Sequence, residues 1–249
     1  ALPTELKLTA PPGFKVRGPL FPAPERYATP DGDTYILEGE PVVLFDLDGT
    51  VANTIPLILD SYAHATHHVL GEAASSEESR SWIGRTLVDI FGERNPAHAE
   101  RLIEAYLAFN TEHFERLVEP YLGMDALLAE LADAGLQLGV VTSKRRASAE
   151  RTLDAVGLAE ALPLLTTMED TSRHKPAPEP LWHALEQLGR RPADCVYVGD
   201  SVFDLRCAGA AGASAIGVTW GAGTRAELDA EASVAVVESL DALRSLLLR

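Results

Sequence analysis

Four short stretches gather the residues best suited to chemistry. The first, "VVLFDLDGTVANT" from Val42 to Thr54, runs an apolar strand straight into Asp46 and Asp48. Side chains two apart on an extended chain point the same way. Like charges that face one side repel unless a cation or a shared proton lies between them. The second stretch, "VVTSK", ends in Thr142, Ser143 and Lys144, and Lys144 reads either as a site cation or as a solvated residue at a helix start. The third, "HKPAPEP", carries Lys175 just ahead of a helix. The fourth, "VGDSVFD", carries Asp200 and Asp204, of which Asp204 reads either as a site acid or as a helix cap that holds Lys175.

Together these side chains suit phosphoryl transfer. A carboxylate, here Asp46, attacks phosphorus as a covalent nucleophile. A hard cation must hold the anionic substrate beside it, and magnesium accepts carboxylate oxygens, phosphate and water, with Asp46 and Asp200 as the protein donors. Asp48 is placed to protonate the leaving oxygen and then to deprotonate the attacking water. Thr142 and Lys175 offer a hydroxyl and an ammonium to the phosphoryl oxygens. Gly49 lets the backbone approach the phosphate closely.

Such residues need a scaffold that brings distant segments to one edge. From Pro41 onward, apolar strand-like runs alternate with helical patterns: "VVLFD", "LQLGVVTS", "LPLLTT", "CVYVGDS", "ASAIGVTW" and "VAVVES". The helix "MDALLAELADAG" stops at Gly135 as a helix should. Strands separated by helices predict an α/β fold, a Rossmann-like doubly wound parallel sheet, with ligands bound beyond the strands' carboxyl ends. The first strand is apolar throughout, so later strands are its expected neighbours. A helical segment without strands follows the first carboxylates and is expected to cover them as a cap. The expected division is an irregular Pro-rich arm over 1–40, an α/β core over 41–55 and 120–249, and a helical cap over 56–119. Within the arm, Thr34 to Gly39 suits one short strand that does not pair beside "VVLFD".

"DLDGT", "VVTSK", "KPAPEP" and "VGDSVFD", in that order, resemble the four motifs of the haloacid dehalogenase-like hydrolases. The resemblance implies Asp46 as nucleophile and Asp48 as acid and base. It implies magnesium held by Asp46, the Asp48 carbonyl and Asp200, with Asp204 in support, and phosphate held by Thr142 and Lys175; Gly49 and Ser143 are further candidate substrate contacts. The insertion looks like the family's helical cap of the first type. The second aspartate argues against halide release, because a halide needs no proton. The four lysines (Lys7, Lys15, Lys144, Lys175) all lie outside the cap, which excludes a cap Schiff base.

The cap narrows the substrate. "WIGRTLVDIF", Trp82 to Phe91, resembles the specificity loop of phosphoglycolate phosphatases, while "SYAHATHHVLG" and "AYLAFNTEHFERLV" look more like the pyrophosphatase branch. Arg85 is the expected cap cation, with Tyr106, Asn110 and His113 as further substrate contacts. The expected reaction is magnesium-dependent hydrolysis of a small phosphorylated metabolite such as 2-phosphoglycolate, or of inorganic pyrophosphate. A sugar phosphomutase on the same scaffold is the alternative, and a non-catalytic binding or scaffolding protein is a second.

Composition sets the outer bounds. A net charge of -16 argues against nucleic acid or an anionic membrane as the main partner. It also means that local cations must overcome the overall field to admit an anion. Two cysteines do not make a disulfide framework, and no apolar run approaches a membrane span, so a cytoplasmic protein is expected.

Overall fold

The computed structural model describes residues 41–248 and two short strands before them, β1 (Glu25–Ala28) and β2 (Thr34–Leu37). These two pair antiparallel. The rest of the expected arm lies outside the described residues.

The main chain then runs through β3 (Val42–Phe45), β4 (Ala52–Asn53), and the helices α1 (Ile55–Leu70), α2 (Ser76–Arg80), α3 (Leu87–Arg94) and α4 (Ala99–Leu117). After β5 (Glu119–Pro120) it alternates: α5 (Met124–Asp133), β6 (Gln137–Val141), α6 (Arg146–Ala155), β7 (Leu164–Thr166), α7 (Glu179–Leu188), β8 (Cys195–Gly199), α8 (Val202–Ala211), β9 (Ser214–Val218), α9 (Arg225–Ala230), β10 (Ala235–Val237) and α10 (Leu240–Leu247). Six strands form one parallel sheet in the order β10-β9-β8-β3-β6-β7. The first strand of the sequence therefore sits between two later ones, as its apolar pattern requires.

Alternation along β3 divides the core into two layers. Val43 and Phe45 face one side, where they pack with Leu127, Leu128 and Leu131 of α5, Leu153 of α6 and Leu243 of α10. Val42 and Leu44 face the other, with Leu181 and Leu185 of α7 and Leu205 and Ala208 of α8. Each fully buried leucine contributes about 1.5–3 kcal/mol by leaving water. Helices thus cover both faces, and the doubly wound α/β sheet with a helical insert is the architecture of this chain. Cys195 and Cys207 are buried and free.

Register decides where the polar residues go. Phe45 lies level with Val140 on one side and Val198 on the other. The residues that follow these three strands, Asp46, Thr142 and Asp200, therefore emerge together at one sheet edge. The helical insert stands over that edge. Its two connections to the sheet pair antiparallel as β4 and β5, a two-residue ribbon that joins entry and exit. Inside the insert, Tyr62 packs against Trp82 and Tyr106 at ring distances of 5.0 and 4.9 Å. Ala222, from the loop after β9, joins this aromatic cluster and seats it on the sheet. Among the described residues, no helix is long and apolar enough to cross a membrane.

Candidate active site

The sheet edge is organised around Lys175. Its ammonium is buried and lies 2.7 Å from Asp46 Oδ1 and 2.8 Å from Asp204 Oδ1. Burial alone would lower the lysine's pKa, but Asp204 and Asp46 outweigh it and hold the group above its ordinary value, hence charged. Asp204 has its other oxygen committed as well. Oδ2 accepts from the Ser201 amide (3.0 Å) and the Ser201 hydroxyl (2.6 Å), closing a capping box at the start of α8. Of its two readings the contacts carry the second: Asp204 caps a helix and holds Lys175 beside Asp46.

Asp200 sits in a socket. Thr50 Oγ1 donates to its Oδ1 at 3.1 Å, and the Ala222 amide donates to its Oδ2 at 2.6 Å. A Cβ on Gly49 would come 2.2 Å from Oδ2, and one on Gly221 would come 2.1 Å from it. Gly49 also has φ +80, the left-handed region. The glycine after the two aspartates is needed here for closeness to a carboxylate as well as for its turn.

Asp46, Asp200 and Asp204 each offer an oxygen within 4.8 Å of one another. Lys175 balances one of these three charges. Burial, opposed by Lys175 and helped by Asp204 and Asp48, raises the Asp46 carboxyl to about 7 in all. Asp200 is held well above the usual carboxylate range by burial, then by Asp204 and Asp46. An excess of buried carboxylate charge with hard oxygen donors fits a divalent cation. The donors with capacity to spare are Asp46 and Asp200, because Asp204 is spent on Lys175 and Ser201.

Asp48 stands at the mouth of this cluster. Its Oδ1 accepts from Thr54 Oγ1 and from Lys144 Nζ, both at 2.7 Å. Lys144, equally readable from sequence as a solvated residue, is therefore engaged at the site. Thr142 is buried, and its Oγ1 accepts from the Lys144 amide at 3.2 Å, which leaves its own proton to donate elsewhere.

A cavity of about 80 Å³ opens between sheet edge and insert, lined by Asp46, Asp48, Thr142, Ser143 and Lys144 below and by Tyr62, Arg85, Tyr106 and Asn110 above. Arg85 reaches it, though its guanidinium also pairs with Glu93 at 2.6 Å and lies 5.9 Å from the Phe203 ring. Asn110 lines the wall and donates to Ser61 Oγ at 3.3 Å. Ser143 spends its hydroxyl on the Gly84 carbonyl of the insert, at 2.9 Å, so it ties insert to sheet edge. His113 is not brought to the cavity; it packs edge-on against Phe109 with ring centres 4.1 Å apart. Sequence reasoning missed Thr50 and Thr54, the hydroxyls that orient Asp200 and Asp48. Both lie inside the first stretch, Val42 to Thr54, and threonines within a few residues of paired acids were the available signal.

The chain is similar to several known proteins. Residues 43–218 match the family described as haloacid dehalogenase-like hydrolase. "Pyrophosphatase PpaX" of Bacillus pumilus is 38% identical over 178 residues, covering 72% of this chain and 82% of that protein. The protein of the same name from Bacillus mycoides is 35% identical over 207 residues, covering 83% and 96%. The crystal structure of a predicted phosphatase from Clostridium acetobutylicum superposes with a TM-score of 0.76 at 26% identity, covering 84% of this chain and 99% of that one.

Proposed function

This chain belongs to the haloacid dehalogenase-like hydrolases, and on that premise we propose that it hydrolyses inorganic pyrophosphate with magnesium as cofactor and Asp46 as nucleophile. The observation that carries the reading is the buried Lys175–Asp46 contact beside Asp200, with Asp46 itself lining a cavity small enough to favour a small anion. The similarity to pyrophosphatases supports the choice of substrate.

Asp46 and Asp200, with the Asp48 carbonyl, would hold magnesium, which when bound offsets the charge of nucleophile and substrate. Lys175 has three protons, two of them committed to Asp46 and Asp204, and the third serves a phosphoryl oxygen. The Thr142 hydroxyl serves another. An oxygen of Asp46 attacks phosphorus while the bond from phosphorus to the bridging oxygen breaks. The electron pair leaves on that oxygen, and Asp48 gives it a proton. One phosphate departs and the other phosphoryl group stays on Asp46 as an acyl phosphate. Water then attacks the same phosphorus, Asp48 takes up its proton, and Asp46 leaves as a carboxylate. The closed insert excludes bulk water during the first half and must open to release phosphate.

Phosphate release should be measured with pyrophosphate, 2-phosphoglycolate and a hexose phosphate, with and without magnesium. Pyrophosphate is expected to give the highest kcat/KM, and Asp46→Asn to lower it on the order of 10³-fold or more. Unchanged turnover in Asp46→Asn would sink the mechanism. Dominance of 2-phosphoglycolate would replace the substrate and keep the chemistry, and isomerised hexose phosphate would move the chain to the phosphomutases.

A further inference from the structure

We infer that Lys144 is the residue that selects for an anionic leaving group. The inference rests on the hydrolase reading above and deepens it. Lys144 Nζ lies 2.7 Å from Asp48 Oδ1, and the two side chains are only 13% and 16% exposed. Both line the cavity. The proton donor to the leaving oxygen must come within hydrogen-bond reach of that oxygen. An ammonium in contact with the same carboxylate is then within one further contact of whatever leaves.

The rest of the residue is held firmly. The Lys144 amide donates to Thr142 Oγ1, and its carbonyl accepts from the Met168 amide at 3.0 Å. A backbone fixed on both sides leaves only the side chain to respond to substrate. The other cavity cations are less well placed. Arg85 is committed to Glu93, and Arg145 lines the mouth as an exposed residue. In a chain of net charge -16, a local cation at the leaving-group end has the most to do.

The chemistry separates two kinds of substrate. When pyrophosphate is cleaved, the departing phosphate still carries negative charge after the bridging oxygen is protonated, and Lys144 stabilises it as the bond breaks. When a neutral alcohol departs, the protonated oxygen carries no charge, and the ammonium gains nothing. Lys144 therefore raises kcat/KM for substrates whose leaving group is an anion, relative to those whose leaving group is a neutral alcohol.

The test compares pyrophosphate with glycerol phosphate in the magnesium-loaded enzyme, using the wild type, Lys144→Met, Lys144→Gln and Lys144→Arg. The readout is the ratio of the two kcat/KM values, whatever happens to each alone. The ratio should fall about 10- to 100-fold in Lys144→Met. It should fall comparably in Lys144→Gln, which can still hydrogen-bond Asp48, and be largely kept in Lys144→Arg. A ratio unchanged in both Lys144→Met and Lys144→Gln overturns the inference and leaves Lys144 as a holder of Asp48. If the wild type prefers 2-phosphoglycolate, the pyrophosphate reading fails separately. The same ratio is then taken with 2-phosphoglycolate, whose leaving group carries a carboxylate, and the same outcomes decide.

Discussion

Gly49 and Asp200 stand so close that a Cβ on the first would lie 2.2 Å from Oδ2 of the second. The contact joins the loop after the first sheet strand to the end of its neighbour, 151 positions away in sequence. It explains why the acid survives burial at all. Asp200 accepts from Thr50 and from the Ala222 amide, both on loops that can come near only because Gly49 and Gly221 have no side chain.

Gly49→Ala should therefore damage the site through the socket. The left-handed backbone alone costs about 1–2 kcal/mol for a residue with a Cβ, which lowers the melting midpoint by about 2–8 °C in a chain of this size. Displacement of Asp200 should also weaken magnesium at least about tenfold, the effect of losing roughly one charge-assisted contact. Calorimetric titration with magnesium checks this, and an unchanged affinity would show that Asp200 does not hold the ion.

Lys175→Met removes the one lysine shared by Asp46 and Asp204. Breaking a buried pair costs about 3–5 kcal/mol because the partner charge is left unmatched. Urea unfolding in a chelator at pH 8 should show a loss of that order. The loss should shrink at pH 5, where the carboxyl can take a proton instead. Equal losses at the two pH values would mean that the lysine acts by packing rather than by charge.

The fold was largely legible because both of its signals are local. Apolar runs marked all six strands of the main sheet, and the glycine at 135 marked a helix end. The acids were legible because strand ends of a parallel sheet share an edge, so Asp46, Asp48 and Asp200 could be grouped without knowing strand order. Partners were harder to read. Ser143 lines the cavity, and its hydroxyl also bonds the Gly84 carbonyl, a tie that spacing does not reveal because it depends on how closely the insert approaches. His113 looked like a cap contact. Tyr106, Leu107 and Asn110 reach the cavity from α4, whereas His113 sits a turn further along and packs on Phe109. Which stretch of a long helix meets a cavity is set by how α4 lies against α1, and that is a tertiary fact.

The metal-free protein should become less stable as pH rises from about 4 to about 7. Asp46 has its pKa raised from 3.8 to about 7 by burial, and Asp200 is raised too. Between these values the folded acid keeps its proton while the unfolded one has lost it, so the folded state binds more protons and stability declines with pH. Magnesium competes with those protons, so its stabilising effect should grow over the same window. Scanning calorimetry at several pH values, in chelator and in magnesium, measures both slopes. A magnesium effect larger at pH 5 than at pH 8 would contradict the assignment of these acids to the ion.

Asp89 and His174 should work as one unit in holding the insert down. His174 Nδ1 lies 3.3 Å from Asp89 Oδ2 in the first turn of α3, and its Nε2 lies 3.2 Å from the Met168 carbonyl. The imidazole thus bridges insert and sheet edge one residue before Lys175, and Ser143 adds a second tie at Gly84. Both members of the contact are partly exposed, so it is worth only about 0.2–1 kcal/mol. That is enough to shift an open–closed balance by about 1.5- to 5-fold and to raise KM by a like factor in Asp89→Asn. His174→Gln should do the same. Because each removes the same contact, the double variant should be no worse than either single one. Additive effects in this cycle would mean that the two residues act on KM independently and that closure depends on the Ser143–Gly84 tie instead.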